Sequence, residues 1–195
     1  MGNSLKTLFS WFPALQKLFQ ARTAEEFDDF LDGHFEECVQ RMEAEAHHLM
    51  EDSEEKLSAF LAAALSFKGL DVIREGYSNG RVDLTIKLDS VTFPQRRLAE
   101  AKIYKGAANH AKAIEQLVSR YSTGRQNRGY IVEYVKDPGI AKIVPKLRKQ
   151  ADTDFPARQH GSTCDHKMKW AYLSDHRHAS EELIHVVHIN VNLHR

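Results

Sequence analysis

The sequence has few of the features that mark secreted, membrane or fibrous proteins. It contains two cysteines and five prolines, and its 27 Lys and Arg balance 27 Asp and Glu. Cys38 and Cys164 are too few for a disulfide framework, and two distant thiols are typical of the reducing cytosol. No apolar run approaches the length of a membrane span, and the N-terminus lacks the pattern of a signal peptide. We therefore expect a soluble cytoplasmic protein.

A chain of 195 residues predicts one domain of ordinary size with an extension. The boundary is expected near residues 50–53, which gives an N-terminal helical extension over 1–52 and the main domain over 53–195. The extension is predicted to hold one helix over residues 4–20 and a second that starts at a capping box, Thr23 to Glu26. The second helix is expected to break at Gly33 and to resume through Met50.

Aromatic residues crowd the extension, and they have two interpretations. They either cover one side of the core or form a surface for a dimer mate or a partner protein. Core packing is the favoured interpretation. The residues concerned are Trp11, Phe12, Phe19, Phe27, Phe30 and Phe35.

The charge balance conceals an asymmetry along the chain. Residues 1–66 contain thirteen acidic and five basic side chains, a net charge of −8, whereas residues 94–149 contain thirteen basic and four acidic ones, a net charge of +9. A basic segment of this kind favours a polyanion partner, although solvated helix faces also carry many lysines. Nucleic acid is the expected partner. The candidate contacts are Lys105, Arg120, Arg125, Lys142, Lys146 and Lys149.

Two strand patterns lie between residues 80 and 106. In the first, from Val82 to Leu88, apolar residues alternate with polar ones, which is the two-residue period of a strand with unlike faces. The second, from about residue 97 to 104, carries Glu100 and Lys102 on one face. If the strands pair as neighbours, Asp83 points to the same place as these two side chains.

Two carboxylates and a lysine in one place form a site for a divalent metal with a cation beside it, an arrangement suited to hydrolysis. The alternative is a half-solvated hairpin whose polar face carries Asp83, Glu100 and Lys102 without a function. The second strand pattern is largely apolar, with small alanines beside the charged residues. Burial favours the metal site, because a buried carboxylate needs a metal or a partner.

Asp83 on one strand, followed by Glu100-Ala101-Lys102 on the next and then by a helix, resembles the PD-(D/E)xK superfamily of restriction-endonuclease-like nucleases. The resemblance covers roughly residues 54–136, and Val82 replaces the proline that often precedes the aspartate. It implies an α/β fold, a restriction-endonuclease-like αβββαβ core with a mixed central sheet flanked by helices. The main domain would then be a PD-(D/E)xK nuclease-like domain.

The resemblance also implies a reaction, the Mg²⁺-dependent hydrolysis of DNA phosphodiester bonds, with Mn²⁺ as a substitute. Asp83, Glu100 and the backbone carbonyl of Ala101 would hold the metal. Lys102 would contact the attacking water or the scissile phosphate, and its pKa is expected to be lowered beside the metal. Several branches of the superfamily carry a helical glutamine that orients the water, and Gln116 lies where such a residue is expected.

Other residues match the family pattern less directly. Members often add a glutamate from the first helix of the core, for which Glu54 and Glu55 are candidates, although an acidic first turn also suits the helix dipole. Glu75, at the end of the first strand, is a third candidate. The usual tyrosine four residues after the glutamine is replaced by Arg120, and Tyr121 comes one residue later, so the resemblance gives Tyr121 no role.

The C-terminal third predicts strands over residues 169–173 and 183–193 and contains most of the histidines. Their spacing does not match the paired C-x-x-C elements of structural zinc sites, so surface or hydrogen-bonded histidines are the favoured interpretation. Asp165, His166, His176 and Arg177 form an alternative set of groove residues.

Three functions follow from these observations. The expected one is a metal-dependent DNA nuclease, in bacterial defence or DNA processing, that acts as a homodimer or with a partner protein, with RNA open as a second substrate. The alternatives are a catalytically inactive nuclease-fold subunit for DNA binding or assembly, and an unrelated hydrolase of small phosphate esters.

Overall fold

A computed structural model describes residues 13–67, 69–88 and 93–194 of the chain. Its helices are α1 (Pro13–Gln20), α2 (Ala24–Ala44), α3 (Ala46–Leu49), α4 (Glu54–Leu65), α5 (Ala107–Glu115) and α6 (Ile140–Asp154). Its strands are β1 (Leu70–Tyr77), β2 (Arg81–Leu88), β3 (Gln95–Ile103), β4 (Arg128–Val135), β5 (Cys164–Asp165), β6 (Ala171–Arg177) and β7 (Leu183–Asn192). A π-helical turn, Gln116–Tyr121, extends α5, and a 3-10 turn, Pro156–Arg158, follows α6.

All seven strands form one sheet in the order β1-β2-β3-β4-β7-β6-β5. The pairs β3–β4 and β4–β7 are parallel, and the other neighbours are antiparallel. The predicted α/β class with a mixed sheet is therefore confirmed. Helix α4, strands β1 to β3, helix α5 and strand β4 follow one another in the predicted order. The more specific restriction-endonuclease-like assignment stays a prediction.

Alternating side chains divide the core between the two faces of the sheet. On β4, Tyr130, Val132 and Tyr134 pack with residues of α1 to α4, whereas Ile131 packs with α5 and Val135 with α6. Because successive strand residues point to opposite faces, this one strand contributes to both apolar layers. Helices thus cover the sheet on both sides.

The aromatic residues of α2 lie in the core. Phe27, Phe30 and Phe35 are at most 4% exposed and belong to the same apolar cluster as the sheet. Phe19 on α1 is 54% exposed. Core packing is therefore confirmed for the three buried rings, whereas residues 4–12, with Trp11 and Phe12, lie outside the described residues. Both sides of the predicted boundary at residue 52 contribute to this cluster.

Buried ion pairs attach α2 to the sheet as well. Asp28 Oδ1 lies 2.7 Å from Arg97 Nε on β3, and both side chains are almost fully buried. Asp32 Oδ2 lies 2.6 Å from Arg128 Nη2, and Asp32 Oδ1 accepts a hydrogen bond from the Tyr130 hydroxyl at 3.1 Å. Helix α2 therefore contacts the sheet through charged as well as apolar groups.

The capping box at Thr23 and Glu26 forms as predicted. The predicted break at Gly33 is wrong, because α2 continues through this residue to Ala44. Glycine weakens a helix but does not end it when the flanking residues are buried on one face, as Phe30 and Phe35 are here. The interruption comes instead at Glu45, between α2 and α3.

Replacing Gly33 by alanine is expected to raise the free energy of unfolding by about 1 kcal/mol. Gly33 is exposed, and a methyl group added there would meet no atom within 4 Å, so the change removes only the conformational freedom of glycine. Urea unfolding of the variant measures the effect. Gly129→Ala is the contrasting variant, because its added carbon would lie 3.0 Å from the Leu117 side chain and should destabilise the protein. A destabilised Gly33→Ala variant would contradict a continuous α2.

Among the described residues, no helix is both long enough and apolar enough to cross a membrane.

Candidate active site

The three side chains singled out in the hairpin meet at one end of the sheet. Strands β2 and β3 are antiparallel neighbours, and Leu84 pairs with Ala99, which places Asp83 beside Glu100. The N-terminus of α4 adds Glu54, the first residue of a helix capped by Ser53. Three carboxylates from three elements therefore surround the amino group of Lys102.

The ammonium group of Lys102 is the centre of this cluster. Its Nζ atom lies 2.8 Å from Glu100 Oε1, 3.0 Å from Asp83 Oδ2 and 3.4 Å from Glu54 Oε1. With all four side chains ionised, the cluster has a net charge of −2. Such a site attracts a further cation and repels the phosphate of a nucleic acid until that cation is present.

Backbone amides hold two of the carboxylates in place. Asp83 Oδ2 accepts a hydrogen bond from the Ala101 amide at 2.9 Å, and Glu54 Oε2 accepts one from the Ile103 amide at 2.9 Å. The backbone of β3 thus positions the carboxylates of Asp83 and Glu54. Each of these two carboxylates also contacts Lys102, so each is held by a backbone hydrogen bond and by an ion pair.

Glu100 is the most buried member of the cluster, with 1% exposure. Burial, together with the negative charge of Asp83, raises the pKa of its carboxyl to about 7, although Lys102 opposes both effects. Its Oε2 atom is buried and has no hydrogen-bond partner among the residues that the structure describes. A buried carboxylate oxygen without a partner is a site that a cation would stabilise. The donor set of carboxylate oxygens fits Mg²⁺ or Mn²⁺.

Among the carboxylates alone, the pKa of Lys102 moves in the direction opposite to the lowering expected beside a metal. Burial lowers the pKa of its amino group, but the charges and hydrogen bonds of Glu100 and Asp83 outweigh burial and raise it. The expectation considered the lysine beside a metal and not among three carboxylates. Lys102 is therefore cationic among these carboxylates.

Of the additional acidic candidates, Glu54 contacts Lys102, whereas Glu55 and Glu75 lie at the rim. All three line one shallow depression with Asp83, and Ser58 and Arg74 complete it. Glu55 is exposed, and its backbone carbonyl accepts a hydrogen bond from Arg74. Glu75 has a left-handed backbone, φ 53°, and forms an ion pair with Arg81.

Gln116 and Tyr121 contact each other although they lie five residues apart in the sequence. Both residues lie in the π-helical turn, in which each turn contains about one residue more than in an α-helix. Residues five apart then lie on one side, and the Gln116 amide nitrogen is 3.4 Å from the Tyr121 hydroxyl. Burial raises the pKa of Tyr121, and the charges of Glu100 and Asp83 add to this effect. Tyr121, to which the resemblance gives no role, therefore contacts Gln116.

The predicted DNA contacts fall into two groups. Lys105, Arg120 and Arg125 are exposed in the segments just before and after α5, and the Arg120 guanidinium lies 5.6 Å from the centre of the Tyr121 ring. The others lie on the exposed side of α6, whose buried side packs against Val135 and other core residues. These are Lys142, Lys146 and Lys149.

The histidines of the C-terminal third are mostly hydrogen-bonded, as the favoured interpretation predicted. His166 Nε2 lies 3.0 Å from Asp32 Oδ2, and His176 is fully buried. Asp165 is exposed and pairs with Arg148 at 2.6 Å. The alternative groove set is therefore not assembled.

Two further groups carry no recognisable signal in the sequence. Glu133 on β4 and His110 on α5 are buried side by side, and each reads in the sequence as an isolated polar residue. Glu45, His47 and His48 are exposed at the junction of α2 and α3, with potential ligand atoms within 4.8 Å of one another. Nitrogen donors suit zinc or copper better than Mg²⁺.

Comparison of the chain with family models, with curated proteins and with solved structures finds no match.

Proposed function

We propose that the protein is a metal-dependent nuclease that hydrolyses DNA phosphodiester bonds and requires Mg²⁺, or Mn²⁺ in its place. The observation that carries the proposal is the convergence of Asp83, Glu100 and Glu54 on Lys102. The surplus negative charge and the unpartnered oxygen of Glu100 are what a divalent-cation site requires.

Each residue has a separate task in this proposal. Asp83 and Glu100, with the carbonyl of Ala101, would hold the metal, which supplies positive charge to the phosphoryl transition state and acidifies water. Lys102 stays protonated and places its charge next to the scissile phosphate. Gln116, supported by Tyr121, donates or accepts a hydrogen bond that orients the attacking water.

DNA is the proposed substrate because the basic residues lie in one stretch of the chain. The carboxylate cluster itself is negatively charged and would repel a polyanion. Binding to phosphates releases counterions, so affinity that depends on Lys and Arg falls steeply with salt. The substrate must therefore be held by basic groups outside the carboxylate cluster. The exposed lysines of α6 and the exposed residues around α5 supply such groups.

Neutralising Lys142, Lys146 and Lys149 together is expected to flatten the salt dependence of DNA binding. Each phosphate contact contributes about 0.9 to the slope of log affinity against log salt on duplex DNA, so the slope should fall by roughly 2–3. Fluorescence anisotropy over a salt series measures it. A triple variant of Lys17, Arg41 and Lys56, in the acidic N-terminal segment, is the control and should keep the wild-type slope. Equal slopes in both triple variants would move the DNA-binding surface away from α6.

Cleavage assays separate the proposed function from its two alternatives. The protein is incubated with supercoiled, linear and single-stranded DNA and with RNA, with Mg²⁺, with Mn²⁺ and with a chelator. A nuclease cuts only when the metal is present. Salt-sensitive binding without cutting would instead indicate an inactive DNA-binding or assembly subunit. Hydrolysis of bis(p-nitrophenyl) phosphate without cutting of any nucleic acid would indicate a small-ester hydrolase.

Association through the N-terminal segment stays part of the proposal. A symmetric dimer or a partner protein would place two active sites for cuts in the two strands. The large apolar side chains of α2 are occupied in the core, so a contact between chains would have to use other parts of the N-terminal segment. Sedimentation of the full chain tests the association, and a monomer that makes double-strand breaks would contradict it.

A further inference from the structure

The turn that connects β1 with β2 docks on the π-helical turn that follows α5. This β1–β2 turn consists of Ser78, Asn79 and Gly80, and the Ser78 amide donates a hydrogen bond to the Gly80 carbonyl at 2.8 Å. Ser78 contacts Tyr121, the last residue of the π-helical turn, although the two lie 43 positions apart in the chain. Both residues are buried. The contact therefore joins two separate elements of the fold.

The hydroxyl group of Ser78 makes the polar part of this contact. It donates a hydrogen bond to the backbone carbonyl of Tyr121 at 2.8 Å, in a buried place. The last carbonyl groups of a helix have no partner within the helix, and a buried carbonyl needs a donor from elsewhere. Ser78 supplies this donor, so the β1–β2 turn caps the end of the π-helical turn from a distant part of the chain.

Gly80 makes the apolar part of the contact. A β-carbon built on this glycine would lie 2.8 Å from Cε1 and 3.0 Å from Cδ1 of the Tyr121 ring, which is too close for a real side chain. Its φ of 148° is also one that other residues rarely adopt. Because glycine has no side chain, the ring lies directly against the backbone of the turn. The β1–β2 turn is thus shaped to receive Tyr121.

The two turns belong to elements that carry different parts of the candidate active site. Asp83 follows the β1–β2 turn on β2, and its carboxylate contacts Lys102. Gln116 begins the π-helical turn that ends at Tyr121. Fixing one turn against the other therefore fixes the position of Gln116 relative to Asp83.

The π-helical turn depends on support from outside the helix. Helices of this type are rare, and they occur mostly as single turns. The end of this turn is closed by the Ser122 amide, which donates to the Leu117 carbonyl at 3.0 Å. The side chains of Gln116 and Tyr121 are 3.4 Å apart, which is long for a hydrogen bond. The buried contact with Ser78, at 2.8 Å, is much shorter.

We propose that Ser78 is a positioning residue, which holds the π-helical turn, and with it Gln116, in a fixed place relative to Asp83. Its hydroxyl acts through the backbone of Tyr121 and not through the substrate. The consequence for cleavage rests on the proposed function, in which Gln116 orients the attacking water. The docking of the two turns does not rest on it, and it can be measured on the protein without metal or DNA.

Ser78→Ala tests the docking, because it leaves the Tyr121 carbonyl without its donor. Amide hydrogen exchange should show Ser122 losing protection by about threefold to tenfold, the usual contribution of one hydrogen bond. The amides of the buried strand β4 are the internal reference for global unfolding. The side-chain amide signals of Gln116 in nitrogen–proton NMR spectra should shift in the same variant. An unchanged exchange rate at Ser122, or an unmoved Gln116 signal, would overturn the proposal.

Asn79→Gly is the matched control, because it changes the same turn and keeps the Ser78 hydroxyl. Asn79 is exposed and has a φ of 49°, which glycine adopts without strain. Exchange at Ser122 and the Gln116 signals should stay as in the wild type, and equal changes in both variants would overturn the assignment to the hydroxyl. Ser78→Cys keeps a weak donor in a side chain of similar shape, so it carries the same test if Ser78→Ala does not fold.

Single-turnover cleavage tests the consequence for the reaction. At saturating DNA, Ser78→Ala should cut roughly tenfold to 100-fold more slowly than the wild type, because a small misplacement of a positioned group has effects of this size. Its affinities for DNA and for Mn²⁺ should stay at their wild-type values. A wild-type rate, or a loss of affinity in parallel with the rate, would overturn the positioning role. If the wild type cuts no nucleic acid, the proposed function fails, and the exchange and NMR measurements still decide whether Ser78 holds the turn.

Discussion

Replacing Asp83 by asparagine is expected to lower Mg²⁺-dependent DNA cleavage by at least about 100-fold. Loss of an outer-shell partner alone typically costs a metal site roughly 10–100-fold, and Asp83 is proposed as a direct ligand. The amide oxygen of asparagine can still accept the hydrogen bond from the Ala101 backbone, now 2.9 Å long, so the hairpin should keep its shape. The measurement is the single-turnover cleavage rate of supercoiled DNA, with circular dichroism to verify folding.

Asp71→Asn is the control for this experiment. It makes the same chemical change at an exposed position on β1, where Asp71 pairs in register with Lys87. Its cleavage rate should equal that of the wild type. Should Asp83→Asn cut DNA at the wild-type rate, the assignment of Asp83 to the metal would be wrong. Glu100→Gln provides an independent repeat, because it removes the buried carboxylate from the opposite strand.

Replacing Asp28 by alanine is expected to lower the free energy of unfolding by about 3–5 kcal/mol. The side chains of Asp28 and Arg97 are 6% and 4% exposed, and removing one member of a buried pair leaves the other charge without compensation. Burial raises the pKa of Asp28 despite the opposing effect of Arg97, which shows how costly the carboxylate would be alone. Urea unfolding monitored by circular dichroism measures the loss.

An exposed pair and a double variant serve as controls for that loss. The ion pair between Lys56 and Asp52 is 73% exposed on the lysine side, so Lys56→Ala should cost less than about 1 kcal/mol. The double variant Asp28→Val with Arg97→Met should recover much of the stability, because apolar side chains of similar volume often replace a buried pair. A small loss in Asp28→Ala would mean that α2 is not anchored through this contact.

Local patterns in the sequence were sufficient for the strands that form the site. Alternation from Val82 to Leu88 identified β2, and the buried run around Glu100 and Lys102 identified β3. Because neighbouring strands joined by a short connection usually pair, the meeting of Asp83 with Glu100 could also be expected. These inferences need only a few consecutive residues.

Features that depend on distant residues could not be predicted. The buried contacts of His110 with Glu133 and with His188 join residues up to 78 positions apart, and each of the three looks like an ordinary polar residue in the sequence. The continuity of α2 through Gly33 depends on its apolar face packing on the sheet, which propensity does not report. The raised pKa of Lys102 likewise requires knowing that Glu100 and Asp83 lie beside it.

The π-helical turn separates two quantities that usually go together, the interval between residues along the chain and their distance in space. The wider turn of the helix brings Gln116 and Tyr121 together although their interval is five. A sequence pattern that fixes the interval at four would therefore not pair these two residues. The side of the helix on which two residues lie, and not the number of residues between them, decides whether they can contact each other.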